Sequence, residues 1–494
     1  MTYTYRSSVG RTSLPASSIS SPWSLQSILL LSGVLAVSLY GMWVSSLLAM
    51  FAGALSGALL LPISALPATA LWLLVLLPLN FTGMPQVASS YVTPAVLVIA
   101  IWMVRVALGN RMLPLLRVRI RGWSIILPLL ALLIVSALLN TGHANTAIHF
   151  ISSDPGRTPA WIAVFTICVL APSVLGQISR EDLWPTLQTS FAGIGLFLGV
   201  VAAVDFLFHF NPWSAVLNFE VREATWSVFR AKTSLGHPLL TATVASVALV
   251  VCVFPAGGIR RRLLWVGAFG ALIALILSAS RGGVVAVGFA TFLGVFASRP
   301  SGKQSLSHGR GRLVSLIAAA TILAIIAFSP LLTRRTGSSE GMDSGTYRIN
   351  VFVDAIKLIL ERPMLGFGPG TSNTIFAEHY AGIDRVARLE NSALQLLVSV
   401  GIPASLLCLL GLGLLIAIAI KRGRAGVVAG IAAFGVSLTG YNALEAIPAI
   451  LALVAPLLFC AVMPMTSEGA TTESSGEGLR YRPRLERVSV AKSK

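Results

Sequence analysis

The chain has 494 residues, of which 55% are hydrophobic and only 11% are charged. A soluble domain carries about 25% charged residues, because most of its surface faces water. The composition therefore excludes soluble enzymes, disordered proteins and secreted disulfide scaffolds, and it predicts an all-α polytopic membrane protein. The net charge of +18 is typical of basic cytoplasmic loops, so we expect no nucleic-acid partner.

Apolar runs recur along the chain and are long enough for about 12 to 14 transmembrane helices, since roughly 20 residues cross a bilayer. Polar residues 1–22 precede the first run and are expected to form a cytoplasmic tail. The runs lie near residues 25–42, 43–62, 66–82, 92–109, 123–140, 159–176, 188–208, 235–255, 261–279, 282–298, 312–330, 393–418, 426–444 and 447–464.

Basic residues alternate between the connecting loops, which orients the predicted spans. Clusters of Arg or Lys precede the first run and follow the fourth, eighth, tenth and twelfth, and the tail at 466–494 is also basic. Because cytoplasmic loops collect Lys and Arg, 14 spans with both termini in the cytoplasm satisfy all these positions. We expect the tail at 466–494 to be disordered.

The polar residues on the opposite side are concentrated in a long segment at 331–392. We divide the chain into an N-terminal bundle at 23–208 and a second membrane region at 209–465 that contains this segment. Within it, residues 346–361 predict an amphipathic helix on the membrane surface or against the bundle. Its apolar positions are Ile349, Phe352, Val353, Ile356, Ile359 and Leu360, and its polar positions are Arg348, Asn350, Asp354, Lys357 and Glu361.

Ser280, Arg281, Gly282 and Gly283 lie between two apolar runs with almost no loop. An arginine near hydrocarbon depth is costly unless it meets an anion or a water-filled cavity, so it indicates a functional site. Its planar guanidinium suits phosphate, and flanking glycines allow close approach of backbone N–H groups. The alternative is an interfacial arginine that reaches lipid headgroups.

Arg230 and Gly368 are two further positions that could bind an anion. Arg230 precedes the eighth run and follows an aromatic stretch, so it is either a ligand or an interfacial anchor. Gly368 belongs to the glycine-rich turn 366–370, which forms either an anion nest or a purely structural turn.

Glu390 and Asn391 immediately precede the apolar run that begins at Ala393. A carboxylate at the mouth of a helix bundle can act as general base for a sugar hydroxyl. The alternative is a cap on the following helix, for which Asn and acidic residues are well suited. His379 is a second possible base.

The sequence contains no P-loop, no GxSxG elbow and no HExxH motif, and its four cysteines lie inside apolar runs without metal-type spacing. We therefore expect no metal site and no cofactor, and neither ATP-driven transport nor metallohydrolase chemistry has support in the sequence.

The order of these features over about 225–420 resembles the O-antigen ligase and Wzy-type polysaccharide polymerase family of bacterial membrane proteins. Arg230 comes before one span and Ser280–Arg281–Gly282–Gly283 lies between two later ones. The long segment then carries Tyr347–Arg348 and the run from Arg362 to Gly370, and Glu390–Asn391 leads into the next span.

The resemblance implies a metal-independent inverting glycosyltransferase in the bacterial cytoplasmic membrane. Such a protein moves a glycan from a polyprenyl-diphosphate carrier to an acceptor hydroxyl of a glycan or glycolipid at the outer face. Arg230, Arg281 and Arg348 would hold the diphosphate and Glu390 would be the base, with Ser280, Gly282, Gly368 and Asn391 in support. A glycan-assembly complex is a further expected partner.

One departure from the family pattern affects the expected acceptor. Lipopolysaccharide ligases typically carry His-Asn where this chain has Glu390–Asn391. Transfer chemistry survives this change, but a lipid A-core acceptor does not follow, and we favour a polymerase or ligase of another envelope glycan or exopolysaccharide. A lipid-linked oligosaccharide transporter and a non-catalytic member of an assembly complex are the rival hypotheses.

Overall fold

The computed structural model describes residues 47–77, 93–109, 123–140, 157–179, 182–213, 229–255, 259–298, 339–380 and 389–464. Within these ranges the chain consists of helices and connecting turns, without a β-strand. The apolar runs predicted from sequence are helical here; those near 25–42 and 312–330 lie outside the described residues, as do the tails at 1–22 and 466–494. The expected all-α class is confirmed for this part of the chain, and the total of 12 to 14 spans stays a prediction.

The N-terminal helices are mostly apolar and uncharged. They are α1 (Leu47–Leu60), α2 (Leu66–Leu76), α3 (Pro94–Gly109), α4 (Trp123–Leu139), α5 (Arg157–Leu175) and α6 (Trp184–Phe208). The helices that follow are α7 (Pro238–Val253), α8 (Arg261–Leu277), α9 (Arg281–Ala297), α10 (Ser339–Glu361), α11 (Ser372–Tyr380), α12 (Ser392–Lys421), α13 (Ala425–Leu438), α14 (Ala443–Ala446) and α15 (Ala455–Val462).

Three of these helices, α5, α6 and α12, are long and apolar enough to cross a membrane, with 19, 25 and 30 residues. Most of the others are apolar but shorter than a full span. A helix rises 1.5 Å per residue, so about 20 residues match the hydrocarbon core. The protein is therefore a membrane protein.

The bundle around the site depends on close helix packing. Helices α6 and α8 approach so closely that a Cβ added at Gly195 or Gly199 would meet the α8 backbone within 2.5 Å. Small residues permit this approach, which is a common way to pack membrane helices. Helix α7 packs against both α8 and α13, and α13 packs against α9. These contacts bring together the start of α7, the start of α9 and the end of α13.

The segment 339–380 forms a second apolar core with the beginning of α12. Val351, Ala355 and Leu358 of α10 are buried there against Phe376 of α11 and Val398 of α12. Helix α10 contains the amphipathic helix predicted at 346–361. The loop boundaries 331–392 and the domain limits at 208 and 465 stay predictions.

Helix α12 is interrupted at Gly401, whose φ of 78° and ψ of 176° are not helical. The interruption frees the carbonyl groups of Val398 and Ser399, which accept hydrogen bonds from the N–H groups of Phe367 and Gly368 at 2.9 and 2.8 Å. In return, Ile402 N–H donates to the Pro363 carbonyl at 2.8 Å. The glycine-rich turn therefore docks into the break of a membrane helix and satisfies its backbone.

Candidate functional site

Arg281 is placed by a sharp turn between α8 and α9. Ala279 adopts a positive φ of 49°, and the chain then enters α9 with Ser280 as N-cap. The Ser280 hydroxyl accepts a hydrogen bond from Gly283 N–H at 3.3 Å, which is the usual role of serine at this position. Arg281 is consequently the first residue of α9, where the helix dipole favours a bound anion.

A narrow cleft lies at this turn and has about 30 Å³ of water-accessible volume. A water molecule needs roughly 10–15 Å³ by this measure, so the cleft accommodates about two. It brings together the predicted Arg281 and Arg348 with Ser280 and Gly282. The cleft is lined by Leu239, Ala242, Thr243, Ser280, Arg281, Gly282, Gly283, Arg348, Ser437, Gly440 and Tyr441.

Glu390 joins the site through an ion pair with Arg348. The Arg348 Nε atom lies 3.4 Å from Glu390 Oε2, and the two side chains are 42% and 39% exposed. An ion pair this accessible contributes about 0–1 kcal/mol, because water and salt screen it. Arg348 can therefore exchange its carboxylate partner for another anion at little cost.

The cap of α12 is Asn391. Its side-chain oxygen accepts hydrogen bonds from the N–H groups of Ala393 and Leu394, at 2.9 and 3.2 Å. The capping alternative considered for the Glu390–Asn391 pair thus applies to the asparagine, whereas the carboxylate of Glu390 turns to Arg348. The cap fixes the backbone that presents Glu390 at the beginning of α12.

Arg230 lies beside the turn that carries Arg281 and is only 5% exposed. Its Nε donates to the Ser278 carbonyl at 3.0 Å, and Ala231 N–H donates to the Leu277 carbonyl at 3.0 Å. Arg230 is not among the described residues that line the cleft. The structure places it against the end of α8, in contact with the backbone of the Arg281 turn.

Gly368 and His379 also lie away from the lining of the cleft. The N–H group of Gly368 donates to the Ser399 carbonyl within the docked turn described above. His379 Nδ1 lies 2.8 Å from the Ile375 carbonyl oxygen, and its Nε2 lies 3.8 Å from Glu361 Oε2. Both contacts of His379 lie within the segment 339–380.

A buried carboxylate, Glu445 on α14, links this segment to the bundle. The hydroxyl groups of Ser372 and Ser399 donate to its two oxygens, and Asn373 N–H donates to it at 3.3 Å. Burial raises the pKa of Glu445, and the two serine hydroxyls and Arg157 partly oppose this rise. The carboxyl group therefore joins α11, α12 and α14.

Sequence reasoning missed Glu445, Ser437 and Tyr441. Glu445 carried a usable signal, because it is a lone acid between the apolar runs 426–444 and 447–464. Tyr441 packs against His237, with ring centroids 5.0 Å apart and nearly parallel planes. Neither Tyr441 nor Ser437 is unusual in sequence at the end of an apolar run. Only the packing of α13 against α9 reveals their place in the cleft.

Among the described residues, no group of three or more His, Cys, Asp or Glu side chains is arranged to hold a metal ion. The cleft itself offers donors: two guanidinium groups, hydroxyl groups and the N-terminus of a helix. Such a set binds an anion rather than a metal cation. The independence of the reaction from metal ions stays a prediction.

Residues 266–409 match the protein-family model described as "Wzy_C: O-Antigen ligase". The matched segment contains Arg281, Arg348 and Glu390, while Arg230 and the end of α13 lie outside it. A search among curated proteins returns no match for the chain. The predicted family resemblance is confirmed over the matched residues.

Proposed function

We propose that this protein is a glycosyltransferase with a lipid-linked donor, because residues 266–409 match the O-antigen ligase family model and the match supports a role in membrane glycan assembly. It moves a glycan from a polyprenyl-diphosphate carrier to an acceptor hydroxyl group. The observation that carries the proposal is that Arg281 and Arg348 line one cleft while Glu390 is paired with Arg348.

The leaving group in this reaction is a diphosphate, and two arginines suit it. Each guanidinium can donate two parallel hydrogen bonds to phosphate oxygens, and its charge offsets the negative charge that develops as the sugar–phosphate bond breaks. The N-terminus of α9 adds a favourable dipole at Arg281. These groups supply the charge stabilisation that a divalent cation provides in other transferases, so the proposed reaction needs no metal.

The acceptor is activated by Glu390. Its carboxylate takes the proton of the acceptor hydroxyl, the acceptor oxygen attacks the anomeric carbon of the donor sugar, and the bond from that carbon to the phosphate oxygen breaks. The direct displacement inverts the anomeric configuration. General-base assistance of this kind contributes about 10²–10⁴-fold to the rate.

Donor binding and activation of the base are coupled through Arg348. When Arg348 moves from Glu390 to a phosphate oxygen, it also releases the carboxylate for the acceptor proton. The weak, exposed ion pair is suited to such an exchange.

The carboxylate of Glu390, in place of the histidine typical of lipopolysaccharide ligases, directs the proposal to another acceptor. We propose polymerisation or ligation of an envelope glycan or exopolysaccharide, at the outer face of the bacterial cytoplasmic membrane and within a glycan-assembly complex. Both termini face the cytoplasm in this arrangement.

The test expresses the Arg281→Ala variant in a strain that lacks the chromosomal copy of the gene for this protein. We expect shorter or unattached surface glycan and an accumulated lipid-linked donor. Arg261→Ala is the matched control, because Arg261 is the exposed first residue of α8. This variant should restore normal glycan. Normal glycan in both variants would contradict the proposal.

A further inference from the structure

Part of the cleft wall comes from outside the matched segment 266–409. Ser437 lies at the end of α13, and Gly440 and Tyr441 lie in the turn that follows. Helix α13 packs along α9, and this contact brings Ser437 to the same cleft as Arg281.

Ser437 is 6% exposed, and its hydroxyl oxygen is buried without a hydrogen-bond partner among the described residues. Serine and threonine in helices usually donate to the carbonyl four residues earlier. In this protein Thr243 donates to Leu239 O at 2.9 Å and Ser405 donates to Gly401 O at 2.7 Å. A buried hydroxyl without a partner in this part of the structure is uncommon, and a bound ligand is one explanation for it.

The groups around this hydroxyl indicate what it binds. Arg281 and Arg348 are cationic, and a Cβ added at Gly282 would meet no atom of the described residues within 4 Å, so this part of the structure leaves the start of α9 open to a ligand. No carboxylate is among the described residues that line the cleft. A ligand with several acceptor oxygens and negative charge complements this surface.

We propose that Ser437 is a further substrate-contact residue, which donates its hydroxyl to a phosphate oxygen of the diphosphate held by Arg281 and Arg348. The inference rests on the proposed function and adds a contact from a helix outside the matched family segment. The buried hydroxyl gains its hydrogen-bond acceptor when the donor binds.

The experiment measures binding of a polyprenyl diphosphate without glycan to the purified full-length protein in detergent. Ser437→Ala should weaken this binding about tenfold, the effect of losing one hydrogen bond to a charged group. Its midpoint of thermal unfolding should stay unchanged or rise, because alanine removes a buried polar atom that has no hydrogen-bond partner in the described part of the chain. Thr439→Ala, at an exposed hydroxyl bonded to Val436 O, is the control and should bind normally.

Arg281→Ala, measured in parallel, separates this inference from the proposed function. If Arg281→Ala loses binding while Ser437→Ala binds like the wild type, the role of Ser437 is overturned and the proposed function stands. If Arg281→Ala also binds normally, the proposed function itself fails. Weaker binding together with a lower unfolding midpoint in Ser437→Ala would show a structural role and would overturn the inference.

Discussion

At the residue scale, the ion pair between Arg348 and Glu390 connects the two halves of the proposed reaction. Arg348 lines the cleft that also contains Arg281, and Glu390 sits at the capped beginning of α12. Because the pair is exposed, its free energy is small beside that of a guanidinium bound to a diphosphate. The resting pair therefore holds both side chains near the cleft without preventing their use.

Glu390→Gln tests the role of the base. Glutamine keeps the size of the side chain and a hydrogen-bond acceptor for Arg348, but it does not take a proton at neutral pH. We expect kcat to fall by about 10²–10⁴-fold with little change in KM for the donor, measured with purified protein and lipid-linked donor.

Glu361→Gln is the matched control, since Glu361 is an exposed carboxylate at the end of α10 whose near partner is His379. It should retain normal kcat. A rise in donor KM with unchanged kcat in Glu390→Gln would assign Glu390 to positioning Arg348 and would contradict its role as base.

The sequence draws attention to Arg281 and Glu390 because charge is rare in this chain. Both stand at the ends of apolar runs, where a charge near the hydrocarbon region often serves a function. The sequence does not reveal that Arg230 donates to the Ser278 carbonyl beside the Arg281 turn. Its position in the sequence is equally compatible with an anion ligand and with an interfacial anchor. The sequence does not reveal Ser437 either, because its significance depends on a hydroxyl group that finds no hydrogen-bond partner within the described ranges.

At the element scale, the break in α12 determines how the 339–380 segment meets the bundle. The turn at 366–370 bonds to the carbonyl groups that the break exposes, and the Ser136 hydroxyl on α4 donates to the Leu365 carbonyl at 2.6 Å. The turn is therefore held by α4 and α12. The glycines of the turn and of the break make this contact possible.

Gly401→Ala should destabilise the protein by about 2–4 kcal/mol. Its φ is positive, and a Cβ there would lie 2.6 Å from the Met364 carbonyl oxygen. The measurement is the midpoint of thermal unfolding in detergent. Gly413→Ala in the same helix, where a Cβ meets no described residue within 4 Å, should leave it within a few degrees of the wild type. Equal midpoints for both variants would show that the break is not required.

Glu445 predicts a specific pH dependence of stability. Burial raises its pKa, so the folded protein holds this proton more tightly than the unfolded chain does. The stabilisation is complete below the ordinary glutamate pKa of about 4.3 and is lost as pH rises through the raised value. Arg157 and the hydroxyl groups of Ser372 and Ser399 surround the carboxyl group.

The unfolding midpoint of the wild type should therefore fall as pH rises through this range, and that of Glu445→Gln should fall less. Glutamine keeps hydrogen-bonding groups for Ser372 and Asn373 and removes the proton equilibrium. Identical pH profiles of the two proteins would contradict the assignment of the dependence to Glu445.

The sequence predicts the positions of the helices better than it predicts the contacts between them. Apolar runs of sufficient length form helices in any membrane protein, so α4, α6 and α12 were predictable. The predicted apolar face of α10 is largely exposed, with Ile349, Phe352 and Leu360 at 51% or more, whereas Ala355 and Leu358 are fully buried. Hydrophobicity alone does not distinguish a side that packs on protein from one that meets lipid.

At the scale of the whole molecule, the proposal requires the cleft and the basic loops to lie on opposite sides of the membrane. Arg348 and Glu390 belong to the predicted extracytoplasmic side, and the basic residues after α12 belong to the cytoplasmic side. The exposed apolar face of α10 is suited to the lipid surface on the first of these sides.

Cysteine labelling in intact cells checks this orientation. In a background without the four native cysteines, Lys357→Cys on α10 should react with a membrane-impermeant maleimide in spheroplasts, since Lys357 is exposed. Lys421→Cys at the end of α12 should react only after permeabilisation. The reverse pattern would place the cleft in the cytoplasm and would exclude an extracytoplasmic transfer reaction.

The central claim is that the arginine cleft holds a diphosphate while a new glycosidic bond forms. A single-turnover reaction of purified protein in vesicles, with lipid-linked donor labelled in its glycan, tests it most directly. The wild type should transfer the label to acceptor and release polyprenyl diphosphate, and Arg281→Ala should do so at least about 100-fold more slowly. Movement of intact donor across the vesicle membrane without a new bond, or equal rates for both proteins, would contradict the claim.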